Sequence, residues 1–507
     1  MGVKIPQLVW RIPLGALGGL LALYAFPTEN IWILAPLIPA LILLATLGLG
    51  FWKAVLIGFV ASQVFYISHI EWIALYLGPV PLIALSTLMS FFFALSVGAT
   101  AWLYKKWKPK KSGLLVFAVA SASIWTFREF LASSFPYGGF PWSRLSMTQP
   151  SSFMNQWVYF GGMSLLSFAL ALIGGILAIW FLHRRGRNAM RKTSAVIALS
   201  VLVITPLITG VINNPEPIAT KTIAAVQGNA NAGLFSNLQR GSILENHLSA
   251  SELIFDSELA GEIDLLVWPE NASDLDPLRD KEAARKIDEL ATRVGAPFSF
   301  GTITTRGGDN FNSTLLWEPG VGAVDYYDKQ QPVPFAEFVP DREFWRLFAP
   351  ALIDLVPEGF SFGTRDGIYE VSEDFTAGTL ICFEIAEDSI LRELVSGGAE
   401  VILSQTNNAD FGYSDETYQQ AGIAQLRSIE TGRAVVNIST VGLSAIYLPT
   451  GKVLSELTWY QAGAMVERVP LYSGTTPAMF FGQTFEIANM VAAIGFLFAF
   501  GIRRKRR

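Results

Sequence analysis

Gly378-Thr379-Leu380-Ile381-Cys382-Phe383-Glu384 is a short apolar run that carries the single cysteine of a 507-residue chain. One thiol makes no intramolecular disulfide and builds no cysteine-rich metal site. Cys382 is therefore either a lone nucleophile or a core residue. The run reads as a buried strand over 378–383, and two other strand-like runs end in reactive groups. Leu265-Leu266-Val267-Trp268-Pro269-Glu270 places Glu270 just past a strand, and Tyr326-Tyr327-Asp328-Lys329 does the same for Lys329. Ligand sites in α/β sheets gather at the carboxyl ends of strands, so these three residues form a candidate triad. Each also has a plain structural reading: a helix cap for Glu270, a solvated loop for Lys329, packing for Cys382.

The surrounding sequence fits a layered α/β domain. Strands are expected at 222–227, 264–268, 297–303, 314–317, 323–327, 378–383, 401–404 and 434–439. Helical periodicity marks 280–294, 388–396 and 417–431. Alternation of this kind argues for helices layered on sheets. Pro449-Thr450-Gly451, inside 446–454, signals a hairpin.

Histidine is scarce. Of His69, His183 and His247, only His247 lies in this region, so a Cys–His pair would depend on it alone. No Gly-x-Ser-x-Gly elbow and no zinc-ligand set is present. The base for a thiol nucleophile must then be a carboxylate or a lysine.

The rest of the chain is of another kind. Charged residues make up 16% of the whole, against about 25% in soluble domains, and the deficit is concentrated before residue 215. A membrane-crossing helix needs about 20 mainly apolar residues. Eight candidates occur, at 12–28, 31–50, 53–70, 79–104, 113–134, 157–182, 194–213 and 484–502. This divides the chain into a seven-helix membrane domain over 1–215, a water-soluble domain over 220–470, an eighth helix and a basic tail over 503–507. No cleavable signal pattern is read at the start.

Cations cluster in alternate loops: Lys4 and Arg11, Lys53, Lys105 to Lys111, Arg184 to Lys192, and Arg503 to Arg507. The positive-inside rule puts both termini in the cytoplasm and 214–483 on the outer face. Topology explains that spacing where nucleic-acid binding does not. Arg128-Glu129, near the outer end of span five, is either a functional pair or a helix lock. The loop through Phe135-Pro136-Tyr137-Gly138-Gly139-Phe140-Pro141-Trp142 suits a surface that meets lipid. Val339–Pro357, rich in Phe344, Trp345, Leu347, Phe348, Leu352 and Leu355, reads as a membrane arm, a lid, or helix packed on its own domain. The Asn271 and Asn312 glycosylation patterns are chance matches, since Asn271 adjoins the candidate base.

At Trp268-Pro269-Glu270, Tyr327-Asp328-Lys329 and Ile381-Cys382-Phe383-Glu384 the chain resembles the nitrilase, or carbon–nitrogen hydrolase, superfamily, whose three motifs these match in order. With eight spans around the domain it resembles the superfamily's apolipoprotein N-acyltransferase branch. Gly139 to Trp142, Val226 to Asn229, Pro332 to Glu337, Asn407 to Gly412 and Arg427 to Arg433 also match, so the likeness covers essentially the whole chain. Phe383 stands where the superfamily has Tyr, and the aromatic that follows the Gln227-Gly228-Asn229 motif has only Phe235 as a loose counterpart.

The resemblance implies that the 220–470 domain is catalytic, an αββα sandwich with Cys382 as nucleophile, Glu270 as general base and Lys329 as oxyanion stabiliser that also lowers the thiol pKa. Glu337, Phe383 and Glu384 are the implied supporting residues. It implies transfer of an acyl chain from a membrane phospholipid to the N-terminal amine of a diacylated apolipoprotein, through a Cys382 thioester. No cofactor, metal or nucleic acid is expected, the chain is expected to be a monomer, and the location is the bacterial cell membrane. The competing expectation is a membrane-tethered amidase acting on a small amide. A non-enzymatic transporter or scaffold, with Cys382 structural, is the third.

Overall fold

A computed structural model describes residues 7–183, 192–233, 236, 239–354, 356 and 359–501. Lys4, Arg184, Arg185, Arg187, Arg191, Phe235, Leu355, Pro357 and the 503–507 tail lie outside the described residues. The chain divides into two compact units, one of Met1–Ala74, Gly78–Asn213 and Thr476–Arg507, the other of Leu75–Leu77 and Asn214–Thr475.

The first unit is helical: α1 (Gln7–Ala25), α2 (Leu37–Thr46), α3 (Phe51–His69), the first two residues of α4 (Ile73–Leu77), α5 (Pro79–Trp107), α6 (Ser112–Ser134), α7 (Val158–Leu182), α8 (Lys192–Ile212), and at the far end of the chain α15 (Pro477–Gly501). Seven helices among the described residues are long and apolar enough to cross a membrane. The expected span at 31–50 is the exception. It forms a 3-10 turn, Trp32–Leu34, followed by the ten-residue α2. Pro36 breaks the two apart at the α2 N-cap. Ten residues rise only about 15 Å, half of a hydrocarbon core of about 30 Å.

The helices pack closely. A Cβ on Gly19 of α1 would lie 2.0 Å from the Ala61 carbonyl oxygen of α3, so only glycine allows that approach. Arg128 and Glu129 act as a lock. The Arg128 guanidinium donates to the Tyr66 hydroxyl of α3 (3.1 Å) and lies 3.5 Å from Glu129, which accepts from Trp125 Nε1 and the Leu145 amide. In the loop after α6, Trp142 is buried against Trp72, which leaves Phe135 and Tyr137 exposed.

The second unit holds two six-stranded sheets. One has the order β12-β1-β2-β3-β4-β5 and the other β11-β10-β9-β8-β7-β6. The first comprises β1 (Ala219–Gln227), β2 (Leu265–Val267), β3 (Phe298–Arg306), β4 (Asp309–Glu318), β5 (Gly322–Asp328) and β12 (Gly463–Leu471). The second comprises β6 (Ile368–Ser372), β7 (Phe375–Ile381), β8 (Val401–Thr406), β9 (Ala434–Ser439), β10 (Ala445–Tyr447) and β11 (Val453–Glu456). The β10–β11 hairpin turns where Pro449-Thr450-Gly451 signals it.

Period-two alternation explains the layers. Ile223, Ala225, Leu265 and Val267 pack into a core with Ile381, Val401, Leu403 and Val436 of the other sheet. The intervening Ala224, Val226, Leu266 and Trp268 face helices α9 (Ser242–Ser251) and α10 (Lys281–Val294). Both faces are thus covered, and so these strands read as continuous apolar runs. Helix α10 is bounded by an Asp280 N-cap, whose carboxylate accepts from the Glu282 and Ala283 amides, and by Gly295 in the left-handed region. The short helices α11 (Arg342–Arg346) and α12 (Pro350–Ile353) follow β5, and α13 (Asp388–Ser396) and α14 (Glu416–Thr431) pack on β7 and β9 of the second sheet.

Candidate active site

The three candidate residues meet at strand ends. Glu270 follows β2, Lys329 follows β5, and Cys382 follows β7. Two of these strands belong to the first sheet and one to the second. Gln405 at the end of β8 ties the sheets together there: its Nε2 donates to the Trp268 carbonyl (2.6 Å) and its Oε1 accepts from Thr379 Oγ1 of β7 (2.8 Å). Behind the base, a Cβ on Gly301 would come within 2.6 Å of the Glu270 Cα, so β3 can pass only as glycine.

Cys382 opens a 3-10 turn, Cys382–Ala386, with φ +55°. A non-glycine residue in the left-handed region costs of order 1–3 kcal/mol and persists where its surroundings hold it. Two side chains do so. Glu384 accepts from the Ile381 amide (2.8 Å), the Gln330 amide (2.7 Å), the Gln331 amide (3.1 Å) and the Tyr327 hydroxyl (2.9 Å). One carboxyl thereby fixes both the nucleophile strand and the loop after Lys329. The fully buried Arg427 of α14 donates to the carbonyls of Ile385 (2.9 Å) and Ala386 (2.7 Å) and pairs with Asp388 and Glu430.

Around Lys329 the charges are closely spaced. Its ammonium lies 2.8 Å from Glu337 Oε2 and 3.7 Å from Glu270 Oε1. Asn312 Nδ2 donates to Oε1 of both carboxylates, at 2.7 Å to Glu270 and 2.9 Å to Glu337. The Cys382 thiol and the Glu270 carboxyl are close enough to act on each other's proton affinity. Asn312 was not among the sequence candidates, because a polar residue in a strand carries no mark of what it will face.

Burial raises the proton affinity of Glu270, Lys329 lowers it, and Glu337 raises it further; the net direction is up. Burial works against the Lys329 ammonium, but Glu337 and Glu270 outweigh it and keep it protonated. Burial, and then the Glu270 charge, push the Cys382 thiol up, and Lys329 does not compensate. Lys329 does lower the thiol pKa, as expected, but by less than burial and Glu270 raise it. The net upward direction favours the neutral thiol.

His247 takes no part. It is fully buried on α9, hydrogen-bonded to the Ile243 carbonyl (2.9 Å) and packed against Trp268. No group of three or more His, Cys, Asp or Glu among the described residues could hold a metal ion. Near the site, Phe338, Val339, Arg342 and 359–362 line a cavity of about 490 Å³. Beyond it Trp345 packs on Phe335, while Leu347 and Phe348 are 80% and 70% exposed. The described part of the 339–357 segment is therefore only partly packed on its own unit.

Comparison with known proteins follows the same division. The family model described as Apolipoprotein N-acyltransferase N-terminal domain matches residues 18–176, and that described as Carbon-nitrogen hydrolase matches residues 222–475. The apolipoprotein N-acyltransferase of Mycolicibacterium smegmatis is 32% identical, over 95% of this chain and 84% of that protein. Those of Azotobacter vinelandii and Vibrio parahaemolyticus are 28% and 25% identical, over 91% and 95% of this chain and 89% and 95% of theirs. Among solved structures, an amidase from Nesterenkonia sp. AN1 aligns with 17% identity and a TM-score of 0.40, over 53% of this chain and 96% of that one. The chain belongs to the apolipoprotein N-acyltransferase family.

Proposed function

We propose that this protein transfers an acyl chain from a membrane phospholipid to the N-terminal amine of the diacylglyceryl-cysteine of apolipoproteins, through a thioester on Cys382. The observation that carries this reading is the convergence of Glu270, Lys329 and Cys382 at three strand ends, in a chain of this family with apolar helices on both sides of the domain.

In the first half-reaction Glu270 takes the thiol proton as sulfur attacks the ester carbonyl. Lys329 and a backbone N–H beside Cys382 stabilise the oxyanion. Collapse breaks the ester C–O bond, and Glu270 returns the proton to the departing lysophospholipid oxygen. In the second, the lipoprotein amine attacks the thioester, Glu270 accepts its proton, and sulfur leaves. Glu337 holds Lys329 in place, Glu384 sets the backbone on both sides, and Phe383 lies beside the sulfur.

The membrane placement is part of the proposal: eight crossings divided as 1–215 and 484–502, both termini cytoplasmic, the 220–470 domain outside. Helix directions support it. Arg11, early in α1, donates to the Ala45 and Leu47 carbonyls at the end of α2, so α2 returns the chain to the level where α1 began despite its length. Gly15 and Gly19 of α1 meet Ile57 and Ala61 of α3, so those two helices run parallel. The cations Lys105 and Lys106 lie in the last turn of α5, and Lys108, Lys110 and Lys111 follow it. The protein acts as a monomer in this reading.

Incubation with acyl-labelled phospholipid and a diacylated lipopeptide tests it. Label on Cys382 and then on the peptide amine is the expected result. Release of free fatty acid with no acylated peptide would point to a hydrolase instead.

A further inference from the structure

The sulfur of Cys382 has a polar neighbour that these steps leave unused. Gln420 Nε2, on α14, lies 3.6 Å from Sγ. An amide nitrogen donates and an amide oxygen accepts, so the partners at the other end fix which atom faces the sulfur. Gln420 Oε1 accepts from Thr406 Oγ1 (2.6 Å) and from Asn408 Nδ2 (2.7 Å). Asn408 is oriented in turn: its Oδ1 accepts from Ser439 Oγ (2.5 Å), and its Nδ2 also donates to Glu416 Oε2 (2.7 Å). Thr406, Asn408, Ser439 and Gln420 are all buried. The result is a directed chain of hydrogen bonds from the ends of β8 and β9 to the nucleophile. It leaves the Gln420 N–H no choice but to point at sulfur.

We propose that Gln420 is a catalytic residue whose amide N–H stabilises the negative charge that develops on the Cys382 sulfur, with Thr406 and Asn408 as the residues that position it. The inference rests on the acyl-transfer reading. Charge develops on sulfur twice. In the first half-reaction the S–H proton passes to Glu270 while the S–C bond forms. In the second, the N–C bond forms, the C–S bond breaks with its electron pair going to sulfur, and the amine proton returns to sulfur through Glu270. Lys329 is held between Glu337 and Glu270 and serves the carbonyl oxygen. The carboxylates around the sulfur oppose its charge, Glu270, Glu416 and Glu337 alike. Gln420 supplies a neutral donor that adds no charge to pair with them.

Two variants separate donation from packing. Gln420→Glu keeps an acceptor for Thr406 and Asn408 but removes the donor to sulfur; Gln420→Met removes both. Full-length protein in detergent is read three ways: alkylation of Cys382 by iodoacetamide across pH, single-turnover acylation by labelled phospholipid, and unfolding temperature. Both variants are expected to acylate about 10- to 100-fold more slowly, the range for losing a hydrogen bond to a charged group. Their alkylation profiles should move to higher pH, with the acceptor KM unchanged and the Gln420→Glu unfolding temperature near the parent's. An unshifted alkylation profile in Gln420→Met, which adds no charge beside the sulfur, overturns the proposal, whether or not acylation slows; the Gln420→Glu profile also carries the upward push of its own carboxylate. A parent protein that alkylates at Cys382 but forms no thioester contradicts the acyl-transfer reading instead.

Discussion

Lys329 pairs more closely with Glu337 than with the base it sits beside: its ammonium is 2.8 Å from Glu337 and 3.7 Å from Glu270. Glu337 thus draws the cation partly away from Glu270 and raises that group's proton affinity through its own charge. Both effects make Glu270 a better base.

Replacing Glu337 with Gln should therefore weaken the base. Lys329 would pair with Glu270 alone, and the Glu270 pKa would fall. Acyl-enzyme formation should slow by about 10²-fold, and the acid limb of its pH profile should move to lower pH. Single-turnover acylation measured across pH checks this; a limb that stays in place would contradict the assigned role of Glu337.

Arg427 holds the turn that carries the nucleophile. Arg427→Ala would leave Asp388 and Glu430 without their cation and the Ile385 and Ala386 carbonyls without a donor. Loss of one partner of a buried pair costs about 3–5 kcal/mol, so the unfolding temperature should drop clearly. Arg427→Lys should recover only part of it, because an ammonium lacks the fork that reaches four partners. Thermal unfolding of the three proteins is the check.

The second unit should lose stability as pH rises from about 4 to 8. Burial raises Asp410 to about 6, Glu384 to about 7 and Glu416 to about 8. A carboxyl whose pKa is higher folded than unfolded binds more protons in the folded state between the two values. Stability from it is then full below the unfolded pKa and falls as pH climbs through the folded one. Every tenfold gain in proton affinity on folding corresponds to about 1.4 kcal/mol. Glu416→Gln should flatten the decline, which unfolding at several pH values would reveal.

The topology makes a separate prediction. In a Cys382→Ser background, Lys108→Cys should resist a membrane-impermeant maleimide in intact cells, and Asn214→Cys should react. The opposite pattern would reverse the orientation.

Much of the site was legible because Glu270, Lys329 and Cys382 each follow an apolar strand, and strand ends are where α/β sheets expose chemistry. Glu337 and Glu384 were readable only through resemblance. Asn312, Thr406 and Gln420 were not legible, since their roles depend on sheet register and on helix α14 returning to the nucleophile. The strands β6 and β12 were missed. β6 alternates buried and exposed residues over only five positions, and β12 interrupts its apolar residues with Glu467 and Arg468. The downward pull of Lys329 on the thiol was legible in sequence, while the burial and the carboxylates that outweigh it were not. The α2 helix fell short because Pro36 divides an otherwise continuous apolar run.

The central claim is that Cys382 carries the acyl chain. Intact-protein mass spectrometry after exposure to phospholipid, without acceptor, tests it most directly. One added acyl mass on Cys382 is expected, lost on addition of a diacylated lipopeptide, and absent in Cys382→Ser, Glu270→Ala and Lys329→Ala. A Cys382→Ser protein that still N-acylates the lipopeptide, or a parent protein that never carries the acyl mass, would contradict it.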